Sequence, residues 1–206
     1  LINRKKIERF VLVGHSLGGL ISSHLSLLVK DRLIALFLVG CAGFTRKDFT
    51  EEEVDVMFSN YGSRNGMDPS IVKFVNYVVF DKKVPIFNYI AYSLIKNYVE
   101  IYFDEDRLNL TLAEKKLFID YYKVVHTLKP CGNNCLWSLL KFGGYCDYPC
   151  LEILDQNRDI KAFIYYGDQE WLDYKHAYEE CKKLNLHMNF RVLHGTNHQV
   201  FFHGPD

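Results

Sequence analysis

Two short apolar runs and one helical stripe open the chain. Residues 8–13 (Glu-Arg-Phe-Val-Leu-Val) and Leu33–Val39 are of strand length, and the second is continuously apolar, as in a sheet covered on both faces. Between them Leu17, Leu20, Ile21, Leu25 and Leu28 recur at helical spacing over 17–30. Gly18, Gly19, Ser22 and Ser23 add a small face suited to close packing on a sheet. Strand, helix, strand predicts a parallel pair joined by a crossover helix.

From 44 to 155 the strand signal almost vanishes and helix starts take its place. Thr50-Glu-Glu-Glu53 and Thr111-Leu-Ala-Glu114 are capping boxes, and Asp68-Pro69 is an N-cap followed by proline at the first helical position. Behind them lie Val54, Met57 and Phe58, then Ile71, Phe74, Val75 and Val78, then Leu117, Tyr121, Val124 and Leu128. This segment is a helical insertion rich in Tyr and Phe. Sheet character returns at Ala162–Tyr166, with a helix over about 174–184 and a strand at Phe190–Leu193. The plan is β-α-β, helical insert, β-α-β: a mostly parallel sheet with helices on both faces.

Composition narrows the function classes. The 206 residues are 49% hydrophobic and 24% charged, with Lys plus Arg and Asp plus Glu at 25 each. A neutral chain has no built-in pull on nucleic acid, so no nucleic-acid partner is expected. No run approaches the roughly 18 apolar residues of a membrane span. No secretory signal is visible, so the expected location is cytoplasmic, or peripheral at lipid surfaces. Cys131-x3-Cys135 and Cys146-x3-Cys150 invite a zinc reading, but the spacing is not that of a knuckle. Reduced, metal-free thiols are expected instead.

Gly14-His15-Ser16-Leu17-Gly18 sits between the first strand and the first helix. A G-x-S-x-G turn is sharp, and residues two before and two after the serine must lack bulk. The turn lifts Ser16 Oγ above the carboxyl ends of the strands. It also puts Ser16 at a helix N-terminus, where the Leu17 N–H can donate to an oxyanion. Ser16 is therefore the candidate nucleophile, and His15 is read as a packing residue of the elbow.

A serine hydroxyl needs a base, and in this architecture the chain order is Ser, acid, His. His198 follows the last strand through the loop His194-Gly-Thr-Asn197 and is the favoured base, with His194 as competitor. The acid belongs after strand 162–166, where Asp168, Glu170 and Asp173 compete. Glu170 is third after the turn glycine Gly167, whereas Asp173 is also a natural N-cap for the next helix. Spacing alone does not separate Glu170 from Asp173. No cofactor and no metal are called for.

Four segments carry a family resemblance: Gly14-His-Ser-Leu-Gly-Gly19, Leu38-Val-Gly-Cys-Ala-Gly-Phe44, Tyr166-Gly-Asp-Gln-Glu-Trp-Leu-Asp173 and His198-Gln-Val-Phe-Phe202. Together they resemble the abhydrolase-domain four/five group of lipid enzymes. That group includes the lipid-droplet lipase co-activator, the N-acyl-phosphatidylethanolamine lipases and the cardiolipin-specific phospholipases. Leu128–Cys135 and Pro149–Leu151 resemble the end of the group's cap. The resemblance implies the α/β-hydrolase fold, with core at 1–43 and 156–206 and a helical cap at 44–155. It implies a Ser16–Asp173–His198 triad, with Glu170 as alternative acid. It further implies hydrolysis of lipid acyl esters, with contact to a lipid surface through the cap. Since strands normally precede the elbow in this fold, N-terminal strands and a second oxyanion donor are expected to be missing from the 206 residues.

Two alternatives stand beside hydrolysis. Group members proposed to be acyltransferases, acting on lysophospholipids with acyl-CoA, show His, four residues, then Asp; counted from His198, the last position here is His203. A non-catalytic regulatory relative lacks the serine, which this chain retains as Ser16.

Overall fold

The structure, a computed structural model, describes residues 7–47, 50–65, 68–78, 82, 111–127, 139–186 and 189–201. The chain divides into two compact units: Leu1–Lys47 with Leu139–His203, and Asp48–Ser138 with Gly204–Asp206.

The first unit holds a parallel sheet of four strands in the order β1 (Phe10–His15), β2 (Leu33–Val39), β3 (Ala162–Gly167), β4 (Phe190–Leu193). Helix α1 (Leu17–Leu28) crosses from β1 to β2. The strands finish together. His15 pairs with Val39, Val39 with Tyr165, and Gly167 with Leu193. The ladder runs on past these ends, with Ser16 N–H donating to Val39 O at 3.0 Å and Gly40 N–H to Tyr165 O at 2.8 Å. Asp168 N–H reaches Leu193 O at 3.0 Å. The carboxyl edge of the sheet is thus one level platform for the loops that follow.

Helix α1 packs through the small face that its Gly and Ser residues predict, and only part of its apolar stripe goes with it. The periodicity predicts that Leu17, Leu20, Ile21, Leu25 and Leu28 form the packed stripe. Instead Gly19, Leu20, Ser22, Ser23 and Ser26 are buried, while Ile21, Leu25 and Leu28 are exposed. The small face goes inward because it lets the helix approach closely. Ser23 Oγ donates to Leu20 O at 2.8 Å and Ser26 Oγ to Ser23 O at 2.6 Å, so these two buried hydroxyls are satisfied within the helix.

In β2, Leu36 and Leu38 on one face are fully buried, whereas on the other face Ala35 is buried and Phe37 and Val39 are only partly so. Leu36, Leu38, Ile164, Tyr166 and Phe190 form the core under α1, together with Phe44 and helix α5 (Cys150–Gln156). On the opposite sheet face Phe37 stacks on Phe163 at 4.8 Å between ring centroids. Helix α6 (Tyr174–Lys183) links β3 to β4 and buries Ala177 and Cys181.

The expected cap boundary at 155 differs from the division of the units. Residues 139–155 group with the sheet, because Cys146, Cys150, Leu151 and Leu154 belong to its core. Cys150 N–H donates to Gly43 O and Leu151 N–H to Phe44 O, both at 3.0 Å.

The second unit contains α2 (Glu51–Asn65), α3 (Pro69–Asn76) and α4 (Leu112–Thr127). Their starts are those the caps predict. Thr50 N–H donates to Glu53 Oε2 at 2.9 Å and Glu53 N–H to Thr50 Oγ1 at 3.2 Å. Thr111 and Glu114 repeat the exchange, and Asp68 Oδ1 accepts from Ser70 N–H at 2.7 Å ahead of Pro69. Ile71 and Phe74 on α3, and Leu117, Tyr121 and Val124 on α4, are exposed. Leu128, Cys131 and Cys135 lie outside the described residues. Among those described, no helix is long and apolar enough to cross a membrane.

Candidate active site

Each strand end contributes one piece of a single cluster in the first unit. Ser16 follows β1 directly and has φ 54° and ψ −124°, a left-handed conformation uncommon outside glycine. The tight space that forces this turn is at Gly14. A Cβ there would sit 2.4 Å from Gly18 O and 2.6 Å from Ser22 Oγ. The motif predicts an equal restriction at Gly18, yet a Cβ there meets nothing within 4 Å. The second tight position is Gly19, where a Cβ would lie 2.6 Å from Cys41 Sγ. Leu17 is the first residue of α1, so its N–H is one of the amides that no helical turn accepts.

His198 comes from the loop after β4. Its Nε2 lies 2.9 Å from Ser16 Oγ, although 182 positions separate the two in sequence. Its Nδ1 lies 2.8 Å and 2.9 Å from the two oxygens of Glu170. The carboxylate accepts, so Nδ1 carries the proton and Nε2 is left to accept from the serine hydroxyl. The Glu170 side chain is wholly buried. Trp171 N–H donates to its Oε1 at 2.9 Å and Leu172 N–H at 3.3 Å, which fixes the carboxylate from below. A buried charge held by two amides and an imidazole is compensated where a solitary one would not be.

The expected acid, Asp173, is not in this chain of hydrogen bonds. Its Oδ1 accepts from His176 N–H at 3.0 Å as N-cap of α6, and its Oδ2 accepts from the Tyr145 hydroxyl at 3.2 Å. Burial and the neighbouring Asp173 raise the Tyr145 hydroxyl above its ordinary pKa, so it remains a donor. The capping role and the acid role compete for one short side chain, and the cap takes it. The alternative, Glu170, occupies the position against His198. Asp168 binds His194 Nδ1 through Oδ2 at 3.2 Å, which holds the competing histidine on the exposed rim. Hydrogen bonding from the Gly195 amide lowers the Asp168 pKa.

Three further residues touch the cluster, none of which the sequence reading gives a role in the triad. Gly40, with φ 49°, lies so close that a Cβ would be 3.1 Å from both Glu170 Oε2 and His198 Nδ1. Its only sequence signal is a glycine ending an apolar run. The Trp171 ring stands against His198 with centroids 5.4 Å apart in a T-shape, and Trp171 is 58% exposed. His15, read as a packing residue, packs on His198 at 4.7 Å and also hydrogen-bonds its backbone.

The described cysteines Cys41, Cys146, Cys150 and Cys181 are buried free thiols. Burial raises Cys41 above the usual range, and Cys146 and Cys181 to about 12. Cys41 Sγ and Cys150 Sγ are 3.3 Å apart. Among the described residues no group of three His, Cys, Asp or Glu side chains could hold a metal ion.

Solved structures of similar shape decide the architecture. A carboxylesterase of the thaumarchaeon Nitrososphaera gargenis matches over 99% of this chain and 63% of its own, with TM-score 0.51 and 18% identity. Naproxen esterase from Bacillus subtilis matches over 98% and 57%, with TM-score 0.52 and 17% identity. The fold is that of the α/β-hydrolases. A Rhodococcus hydrolase of 2-hydroxy-6-oxo-6-phenylhexa-2,4-dienoate shares it at TM-score 0.52 and 11% identity, over 98% and 62%. No protein-family model matches the chain. Two curated relatives are each 27% identical over 205 residues, 98% of this chain. They are a "Probable 1-acylglycerol-3-phosphate O-acyltransferase" of Oryza sativa subsp. japonica and a 1-acylglycerol-3-phosphate O-acyltransferase of Arabidopsis thaliana. The chain spans about half their length, 48% of each.

Proposed function

We propose that this α/β-hydrolase chain cleaves acyl esters, with Ser16 as nucleophile, His198 as general base and Glu170 as the acid. The observation that carries the reading is the hydrogen-bonded series Ser16 Oγ, His198 Nε2, His198 Nδ1, Glu170 carboxylate. As Ser16 Oγ attacks an ester carbonyl carbon, its proton passes to His198 Nε2. Glu170 stabilises the resulting imidazolium. The tetrahedral oxyanion accepts a hydrogen bond from the Leu17 N–H. The imidazolium then returns the proton to the departing alkoxide, which leaves as the alcohol. Water, deprotonated by His198, attacks the acyl-enzyme; Ser16 Oγ then leaves, taking the proton back from His198, and the acid is released.

The substrate class follows from the resemblance to the abhydrolase-domain four/five group: acyl esters of glycerophospholipids or related lipids. The exposed apolar residues of α3 and α4 support contact with a lipid surface, and hence a cytoplasmic or peripheral location. A second reading has its own support. Both curated relatives are named as acyltransferases, so the acyl-enzyme would be resolved by the hydroxyl of a lysophospholipid, with acyl-CoA as donor. After His198 and the four residues Gln199–Phe202 comes His203, which does not match the aspartate that the resemblance associates with transfer.

The experiment is fluorophosphonate labelling with Ser16→Ala as control, followed by a lipid-class screen with and without acyl-CoA. Labelling at Ser16 and release of free fatty acid are expected. A protein that stays unlabelled is not a serine hydrolase. Acyl transfer outrunning hydrolysis would favour the second reading.

A further inference from the structure

His15 touches the base from a second side, and the polarity of that contact is fixed. His15 Nε2 lies 2.9 Å from the backbone carbonyl oxygen of His198, across 183 positions of sequence. A carbonyl only accepts, so His15 must carry its proton on Nε2. Its ring packs on the His198 ring with centroids 4.7 Å apart and a tilt of 45°. Behind it Phe201 stands edge-on, also at 4.7 Å. His15 therefore links β1, the His198 backbone and the far end of the same loop.

We propose that His15 is a positioning residue: its Nε2–H holds the His198 backbone to the elbow and so keeps the imidazole within reach of Ser16. The inference rests on the Ser16–His198–Glu170 reading. The physical need is clear from the geometry. Glu170 orients the His198 ring through Nδ1, but it does not anchor the loop. That loop leaves β4 through Gly195, at φ 70°, and Gln169 N–H ties it to the turn after β3 by donating to Thr196 O at 3.0 Å, two residues before the base. A strut from the residue next to the nucleophile ties the two reacting side chains to one another. The strut must also be neutral. A cation 4.7 Å from the His198 ring would oppose the imidazolium that forms during attack. Burial favours the neutral ring.

The test uses the full chain. His15→Phe keeps an aromatic ring and loses the donor; His15→Gln keeps a donor and loses the ring. Readouts are kcat and KM on a short activated ester, the rate of fluorophosphonate labelling, and Tm. His15→Phe should lose about tenfold in kcat and labelling rate, the scale of one neutral hydrogen bond, with KM within about twofold. His15→Gln should recover to within about threefold of the native rate. Native-like kcat in His15→Phe overturns the proposal. So does a His15→Gln protein of native Tm that is as slow as His15→Phe. If His15→Phe does not fold, His15→Ala replaces it under the same criteria. Ring ¹⁵N NMR gives a readout that needs no activity: His15 should be protonated at Nε2 and bare at Nδ1, and the opposite tautomer overturns the strut. Absence of labelling in the native protein would count against the triad reading, which keeps the two failures apart.

Discussion

Two carboxylates three residues apart on one turn do different work because they are held differently. Glu170 turns inward, where amides of Trp171 and Leu172 grip it beneath His198. Asp173 turns toward the start of α6. Glu170→Gln should reduce kcat by about three to four orders of magnitude, as loss of an orienting carboxylate does in triads generally, while Tm changes little. Asp173→Ala should do the reverse. It removes a cap, at a cost of about 1 kcal/mol visible in thermal melts, and leaves kcat within about threefold. If Asp173→Ala abolishes turnover at native Tm, the assignment of the acid is wrong. The sequence reading located the turn and all its candidates; spacing left the acid open, and the family resemblance pointed to Asp173, which the structure uses as a helix cap while Glu170 meets His198. That choice depends on which carboxylate the local amides face, and the first amides of α6 had a claim on Asp173 that spacing could not rank. His15 makes a pH prediction. Burial depresses its pKa below the ordinary 6.5, so below that pH the unfolded chain binds the proton more readily. Its contribution to stability is complete above about pH 6.5 and is lost as pH falls toward the lowered folded value. Native Tm should therefore fall faster than that of His15→Gln on acidification below about pH 6.5; parallel Tm curves would refute this.

At the level of elements, α1 shows how a correct helix can carry a partly misread face. Its extent, Leu17–Leu28, is close to the 17–30 that periodicity predicts. Leu20 is buried, but Ile21, Leu25 and Leu28 of the same stripe are exposed, because close approach to Cys41 and to α5 selects glycine and serine over bulk. Hydrophobic spacing registers burial of large side chains and is blind to burial of small ones. The elbow glycines illustrate the same point. Gly14→Ala should be severely destabilising, since its methyl would press on the backbone of Gly18. Gly18→Ala should be tolerated, with Tm unchanged or raised, because alanine favours a helix over glycine by up to about 1 kcal/mol. Equal losses at both sites, measured by thermal melts, would mean that the open space beside Gly18 is not there. The capped starts of α2, α3 and α4 were legible in full, because a capping box is a local exchange between a backbone and two side chains.

The whole molecule was legible in its order of elements and less so in its seams. β-α-β, helices, β-α-β is what the structure contains, but α5 belongs with the sheet and not with the helices before it. An amphipathic helix announces that it has a buried face without saying what covers it, so pattern alone could not assign 139–155. The short pairing between β2 and β3 matters more than its size suggests. β1-α1-β2 and β3-α6-β4 are each local units of chain. Their strands pair along Leu36–Val39 and Ala162–Tyr165, and all of 40–161 must be looped out before that seam closes. Closure of so long a loop is slow, although its entropic cost grows only logarithmically with length. Ser16 stands on one side of the seam, Glu170 and His198 on the other. Catalytic competence is then a late event in folding: after dilution from denaturant, helical circular dichroism should return first and phosphonate reactivity at Ser16 should lag behind it. If the two recover together, the halves do not form ahead of their junction.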